Sequence, residues 1–247
     1  VEDIKTTYGA PEYIYEGDEY TSLDYAGDEY EDGMDFEVDT ATGTLSCISL
    51  ANTAMPAGVN VSPSDISTEA PAINDKYQAP DGPSTDRFDH IITLDGVNYV
   101  LPVTVSELMA NGWVLDTATD DYLSGNSSTW TYMEKGGNKI EVNLENYTPD
   151  AMLPINAYVT QIGVDAKYCS YDVTFPGGIS MGDQGSKLKE IYGDLGDDYY
   201  ESEYSSFISY SVWTYNDEGS VYISAYADPE TGEINEYSYT FYVDSIE

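Results

Sequence analysis

Residues 220–243 read SVYISAYADPETGEINEYSYTFYV and contain two segments in which apolar or aromatic side chains alternate with small polar ones. A period of two residues is that of a β-strand, whose successive side chains point to opposite faces. The turn between the segments runs from Asp228 to Gly232, and glycine accepts the positive φ that a tight turn requires. The stretch therefore predicts an antiparallel hairpin with one side packed on a core. On that side we expect Val221, Ile223, Ala225, Tyr237, Tyr239 and Phe241, with Ile208, Tyr210 and Val212 of the preceding strand.

The other side of the same strands has a different character, because large aromatic residues alternate there with serine and threonine. Rings and hydroxyls together make a surface that is adhesive but still soluble. Exposed apolar patches of this size usually mark binding sites, although a neighbouring part of the chain could also cover the face. The candidate binding residues are Trp213, Tyr215, Tyr222, Tyr226 and Tyr242.

The hairpin belongs to a pattern that occurs three times. SKLKEIYGDLG (186–196) precedes it, and the similar VEDIKTTYGAP (1–11) precedes strand segments joined by the turn Asp39–Gly43. LPVTVSELMANGW (101–113) begins a third, weaker copy. Each copy has a short helical pattern, a glycine that ends it, and alternating strand segments. We expect core positions at Met34, Phe36 and Val38 in the first copy and at Ile140, Val142 and Leu144 in the middle one.

The repeat predicts an α+β, strand-dominated fold of tandem α-βββ modules, in which short helices pack on antiparallel sheets. A Pro/Ser-rich segment between the first two copies has the composition of a linker. The predicted boundaries are 1–53 for the first module, 54–87 for the linker, 88–170 for the middle module and 171–247 for the C-terminal module. Since the first copy lacks the lead-in FPGGISMGDQ (175–184) of the last, we expect the native precursor to continue upstream, after an export signal.

Charge limits the kinds of partner. The chain of 247 residues has 46 acidic and 8 basic side chains, a formal net charge of −38. Such a surface repels phosphate backbones and anionic lipids, so nucleic acid is not expected as a partner. No apolar run is long enough for a transmembrane segment. The charge favours either solubility outside the cell or a cationic partner, and we expect a protein or glycan partner at the cell surface.

Motifs for catalysis or metal binding are sparse. The single histidine, His90, lies at a strand edge, where structural or solvated roles are more common than catalysis. Cys47 and Cys169 fit no metal spacing; we expect two buried free thiols, with one bridge between them as the alternative. The acidic run at residues 16–35 could bind calcium weakly, or could simply be a solvated face. No other cofactor is expected.

The segment PGGISMGDQGSKLKEIYGDL (176–195) and the strands after it resemble the tandem modules of the beta-lactamase-inhibitor-protein-like fold. ITLDGVNYVLPVTVSELMANGW (92–113) is similar to a recurring element of secreted or lipid-anchored proteins of Gram-positive gut bacteria, mostly of unassigned function. The resemblance implies a protein that binds other proteins or serves the cell envelope. The inhibitors carry a disulfide within each module, whereas Cys47 and Cys169 lie in different ones, and no inhibitor contact residue can be carried over.

These observations lead to one functional expectation and two alternatives. We expect an extracytoplasmic, non-enzymatic binding or protein-interaction protein of the cell envelope. An envelope glycan hydrolase that uses paired carboxylates is one alternative, because 46 acidic residues always offer such a pair. A glycan-binding protein whose tyrosine and tryptophan rings stack on sugars is the other.

Overall fold

The computed structural model describes residues 1–11, 13–17, 20–26, 32–52, 65–117, 119, 121–216 and 219–243. The chain forms two compact units, Val1–Val61 and Ser62–Glu247. Unit 1 contains α1 (Glu2–Tyr8), β1 (Tyr13–Glu16), β2 (Tyr20–Ala26), β3 (Asp32–Asp39) and β4 (Leu45–Asn52). The strands of unit 2 are β5 (Ile91–Leu94), β6 (Val97–Val100), β7 (Val103–Thr104), β8 (Val114–Leu115), β9 (Ser128–Lys135), β10 (Asn138–Glu145), β11 (Tyr158–Asp165), β12 (Val173–Phe175), β13 (Ile179–Ser180), β14 (Tyr199–Glu203), β15 (Ile208–Asn216), β16 (Gly219–Ala227) and β17 (Ile234–Tyr242). Its α-helices are α2 (Val105–Ala110) and α3 (Ser186–Tyr192).

Unit 1 is a four-stranded antiparallel meander with one short helix. The strands pair in chain order, β1-β2-β3-β4. Phe36 and Val38 are buried, as expected, together with Leu23, whereas Met34 is only half-buried. The ring of Tyr8, in α1, lies 5.0 Å from that of Phe36, so the helix packs on this side of the sheet.

Unit 2 is built on one nine-stranded sheet. Eight strands follow the order β14-β15-β16-β17-β11-β10-β9-β8, and β7 pairs with β11. The segments predicted as the middle and C-terminal modules thus contribute to a single sheet, joined where β11 pairs with β17. A smaller sheet, β13-β12-β5-β6, packs on the larger one, with the ring of Phe175 lying 4.2 Å from that of Tyr237.

The core of unit 2 confirms the predicted alternation. The core side of β15, β16 and β17 is buried at all the predicted positions except Ile208, which is partly buried, and Ile140, Val142 and Leu144 of β10 belong to the same cluster. Leu108 from α2 and Leu188 from α3 are fully buried in it. Val105 of α2 and Tyr192 of α3 are buried as well, and burial of one such apolar side chain contributes roughly 1.5–3 kcal/mol, so packing on the core stabilises both short helices.

The two predicted turns have the same hydrogen bonds. The amide of Gly43 donates to the carbonyl of Asp39, and that of Gly232 donates to Asp228, both at 2.8 Å. In each turn the aspartate carboxylate accepts the backbone N–H of the residue before the glycine, at 2.7 Å in one and 2.9 Å in the other. Both glycines have positive φ, 68° and 75°. The predicted geometry of these turns is confirmed.

The described part of the predicted linker is attached to unit 2. Residues 65–87 include a short 3-10 helix, Ala72–Lys76. The hydroxyl of Tyr158 donates to the carbonyl of Ile73 at 3.0 Å, and the side-chain amide of Asn74 donates to the carbonyl of Asn156 at 2.9 Å. Residues 53–64 lie outside the described chain.

The strand-dominated, antiparallel α+β class is confirmed. Each described α-helix is followed along the chain by four strands that pair in chain order, one more than the sequence predicts. Among the described residues, no helix combines the length and the hydropathy needed to cross a bilayer.

Candidate binding face

The side of the large sheet that faces away from the core is called the open face here. Its residues are Ser209, Ser211, Trp213 and Tyr215 of β15; Ser220, Tyr222, Ser224 and Tyr226 of β16; Glu236, Ser238, Thr240 and Tyr242 of β17; Gln161, Gly163 and Asp165 of β11; Lys139, Glu141, Asn143 and Glu145 of β10; and Trp130, Tyr132 and Glu134 of β9. Strand register arranges these side chains in rows that run across the sheet. One row, called the aromatic row, is Trp213, Tyr222, Thr240, Gln161, Asn143 and Trp130.

The five residues singled out in the sequence all lie on the open face. Trp213 and Tyr215 are 58% and 71% exposed, Tyr222 and Tyr242 are also exposed, and Tyr226 is half-buried. The rings of Trp213 and Tyr215 lie 6.2 Å apart, and those of Trp213 and Tyr222 lie 6.0 Å apart in a T-shaped arrangement. The fold therefore brings three rings of β15 and β16 together, while Tyr226 lies further along β16 and Tyr242 lies on the neighbouring strand β17.

The middle of the aromatic row is polar and closed to solvent. Thr240, Gln161 and Asn143 are 0%, 4% and 2% exposed. The Thr240 hydroxyl donates to Oε1 of Gln161 at 2.6 Å, and Nε2 of Gln161 donates to Oε1 of Glu141 at 3.4 Å. The buried Thr240–Gln161 pair is thus linked to the Glu141 carboxylate by one long hydrogen bond, which favours one orientation of that carboxylate.

Beside this chain lies a pocket of about 500 Å³, called the Gly163 pocket. Its walls include Tyr132, Glu141, Asp165, Tyr168, Lys139, Glu236 and Ser238. A Cβ at Gly163 would make van der Waals contact with the Cβ atoms of Glu141 at 3.4 Å and Ser238 at 3.5 Å, so the glycine keeps the floor between them at the level of the backbone. The pocket has the size of an ordinary ligand site.

The Gly163 pocket is electrostatically negative. Burial raises the pKa of Glu141, and burial followed by repulsion from Asp165 and Glu141 raises the pKa of Glu236. The ammonium of Lys139 lies 4.2 Å from the centre of the Tyr132 ring in the pocket wall, and its charge is paired with Asp116 at 2.8 Å. Among the described residues, no lysine or arginine forms an ion pair with Glu141, Asp165 or Glu236.

Sequence reasoning missed this pocket. A signal was present, because a glycine inside an otherwise regular strand, as Gly163 in TQIGVD, often marks a close approach of a ligand or another chain. The cross-strand register that places Glu141 opposite Gly163, and Gly163 opposite Ser238, cannot be read from the sequence.

The remaining candidates do not form a site with the open face. His90 is buried, stacks on Phe241 at 3.6 Å and shares a hydrogen bond of 2.8 Å with the Tyr239 hydroxyl, which is a structural arrangement. Cys47 and Cys169 are both free, but only Cys169 is buried. The expected burial of Cys47 is wrong, because residues 45–49 of β4, the last strand of its sheet, are all exposed.

Part of the acidic run of residues 16–35 lies outside the described residues, at 18–19 and 27–31. Within the described part of the chain, no group of three or more His, Cys, Asp or Glu side chains is arranged to hold a metal ion. The calcium hypothesis for this run therefore stays a prediction.

Comparison of the chain with protein-family models, with curated proteins and with solved structures gives no match. The interpretation of the open face therefore depends on its own geometry.

Proposed function

We propose that this protein is a non-enzymatic binding protein whose macromolecular partner docks on the open face. The observation that carries the proposal is the exposed cluster of Trp213, Tyr215 and Tyr222, in which the Trp213 ring lies about 6 Å from each of the two tyrosine rings. Tryptophan and tyrosine are the residues most enriched among energetic anchors of interfaces. Rigid rings on a sheet also lose little conformational entropy on binding.

The dimensions of the face favour a macromolecule over a small ligand. The exposed ends of the aromatic row, Trp213 and Trp130, stand five strand spacings or about 24 Å apart, with the buried polar residues between them. A chain or a domain spans such a length, whereas a metabolite does not.

The proposal includes the architecture and the location inferred from the sequence. We propose that the helix-and-meander segments are tandem copies of one module. The shared turn geometry at Asp39–Gly43 and Asp228–Gly232 supports this, as does a β-bulge just before each turn. The net charge of −38 supports an extracytoplasmic place, in the medium or at the cell surface.

The test is affinity capture with the intact chain and a variant of the open face. Immobilised protein is exposed to secreted and envelope proteins and to a glycan array, and each captured ligand is then titrated against both forms. We expect Trp213→Ala/Tyr222→Ala to abolish binding. The matched control is Tyr13→Ala/Tyr15→Ala, which removes two exposed rings from unit 1 and should leave binding unchanged. A ligand that binds both variants equally would rule out the open face as its site.

A second candidate function is hydrolysis of an envelope glycan. The observation in its favour is that Glu141 and Glu236 line one pocket, each with a pKa raised by burial, as a general acid requires. It predicts release of reducing ends from cell-wall polysaccharide, and loss of that activity in Glu236→Gln. Incubation without any new reducing ends would reject it.

A further inference from the structure

We propose that the partner is a basic polypeptide segment, and that the Gly163 pocket receives one of its arginine or lysine side chains. The inference rests on the proposed function and deepens it by naming the chemistry of the partner. It combines the shape of the pocket, its charge, and its continuity with the exposed rings on the same face.

Charge complementarity favours a cation. Three carboxylates, those of Glu141, Asp165 and Glu236, line the pocket, while its one lysine, Lys139, is neutralised by Asp116 at 2.8 Å and Glu134 at 3.6 Å. Glu141 is half-buried, and a carboxylate that is partly withdrawn from water without a cationic partner is unfavourable, whereas Glu236 is exposed and adds its charge at the rim. A guanidinium or ammonium group inserted among them would relieve this cost, and a neutral sugar would not.

The geometry suits a long side chain with a charged end. Gly163 provides a floor without a side chain, and Ser238 beside it offers a hydroxyl. The amide of Gln161 lies 3.4 Å from Oε1 of Glu141, a long hydrogen bond that favours one orientation of this acceptor before the ligand arrives. The acceptors Glu141, Asp165 and Glu236 all stand on strands, where charge-assisted hydrogen bonds gain most from a fixed geometry.

A path of small side chains joins the pocket to the exposed rings. Ser211, Ser224, Ser238 and Gly163 stand opposite one another in successive strands, next to the aromatic row. Three strand spacings make this path about 14 Å long. A polypeptide lying along it would place a basic side chain in the pocket and apolar side chains against Trp213 and Tyr222.

The first experiment selects peptides. A phage-displayed library of random dodecapeptides is selected on the intact chain, and the enriched peptides are synthesised with each basic residue in turn replaced by its neutral analogue, citrulline for arginine or norleucine for lysine. We expect one basic position whose replacement weakens binding at least about tenfold, as for a charge-assisted contact. A selection that yields no binder, or binders indifferent to every such replacement, overturns the inference.

The second experiment separates the pocket from general attraction to an acidic protein. Glu141→Gln/Glu236→Gln should weaken the selected peptide at least about tenfold. Glu190→Gln/Glu203→Gln changes the net charge equally, at exposed residues that belong neither to the open face nor to the pocket, and should weaken it less than threefold. Equal weakening by the two double variants would overturn the pocket assignment.

The same peptide distinguishes this inference from the proposed function. Binding that is lost in Trp213→Ala/Tyr222→Ala but kept in Glu141→Gln/Glu236→Gln would overturn the role of the pocket. The open face would then still be supported as the binding site. Binding that is kept in both variants would count against both proposals. A glycan as the sole ligand of the face would uphold the proposed function and overturn the basic polypeptide.

Discussion

The hydrogen bond between Thr240 and Gln161 under the open face can be tested by a double-mutant cycle. Thr240→Val is nearly isosteric, but it leaves Oε1 of Gln161 without its donor in a place where Gln161 is only 4% exposed. An unsatisfied buried polar atom costs about 1–3 kcal/mol, so the free energy of unfolding should fall by that amount. Gln161→Met should lower the free energy of unfolding by a similar amount, because it leaves the fully buried Thr240 hydroxyl without its acceptor.

The double variant decides the question. With both polar partners gone, neither atom of the Thr240–Gln161 hydrogen bond is left without its partner, and Thr240→Val/Gln161→Met should be less destabilising than the sum of the single changes by about 1–2 kcal/mol. Urea unfolding followed by tryptophan fluorescence is the assay. Trp113, Trp130 and Trp213 are the three tryptophans of the chain, and all belong to unit 2, so the signal reports this unit alone.

A control hydroxyl lies on the same face. Ser224 is half-buried, and Ser224→Ala should change the free energy of unfolding by no more than about 0.5 kcal/mol. Strict additivity of the two single changes would refute the reasoning, since it would mean that Thr240 and Gln161 are not coupled. So would a Thr240→Val effect as small as that of the control.

Four further outcomes are expected. Gly185→Ala should destabilise unit 2 by about 1–3 kcal/mol in urea unfolding, because the new Cβ would lie 2.3 Å from the hydroxyl oxygen of Tyr210. An unchanged urea midpoint would contradict the close packing of Tyr210 against Gly185. A thiol reagent should label exposed Cys47 in the native protein and buried Cys169 only after unfolding. Rapid labelling of both thiols in the native protein would contradict the burial of Cys169. Backbone hydrogen bonds lower the pKa of Asp228 below 3.8, so the ionised form stabilises the fold. Asp228→Ala should therefore lower Tm at neutral pH, by a difference that begins to shrink as pH falls to 3.8 and continues to shrink through the lowered pKa; a difference that does not change with pH would contradict this. Moderate salt should raise Tm by screening a net charge of −38, and a salt-independent Tm would argue against mutual repulsion.

Local pattern was a reliable guide to the strands. Alternation in residues 220–243 predicted which side chains are buried, because a strand has only two faces and the core takes the apolar one. The turns at Gly43 and Gly232 could be predicted as well, since positive φ is inexpensive only for glycine. The same alternation placed Trp213, Tyr215 and Tyr222 together on the opposite side.

The sequence does not predict which residues of distant strands become neighbours in the sheet. Pairing of β11 with β17 joins segments about 75 residues apart, and this pairing depends on how two meanders share one core rather than on any local signal. The Gly163 pocket follows from that pairing, because its carboxylates come from three strands, β10, β11 and β17. The exposure of Cys47 has a similar cause, since a strand pattern does not reveal whether a strand ends its sheet.

The sequence by itself thus determined the strand-dominated class, the faces of the individual strands, the turns and the acidic charge. Each of these depends on residues within a few positions of one another, or on a simple sum over the chain. Only the tertiary structure decided that Glu141, Gly163 and Glu236 share a pocket and that Gln161 orients one of its carboxylates. Those relations depend on register between distant strands, which is set by the packing of the common core and not by the local alternation.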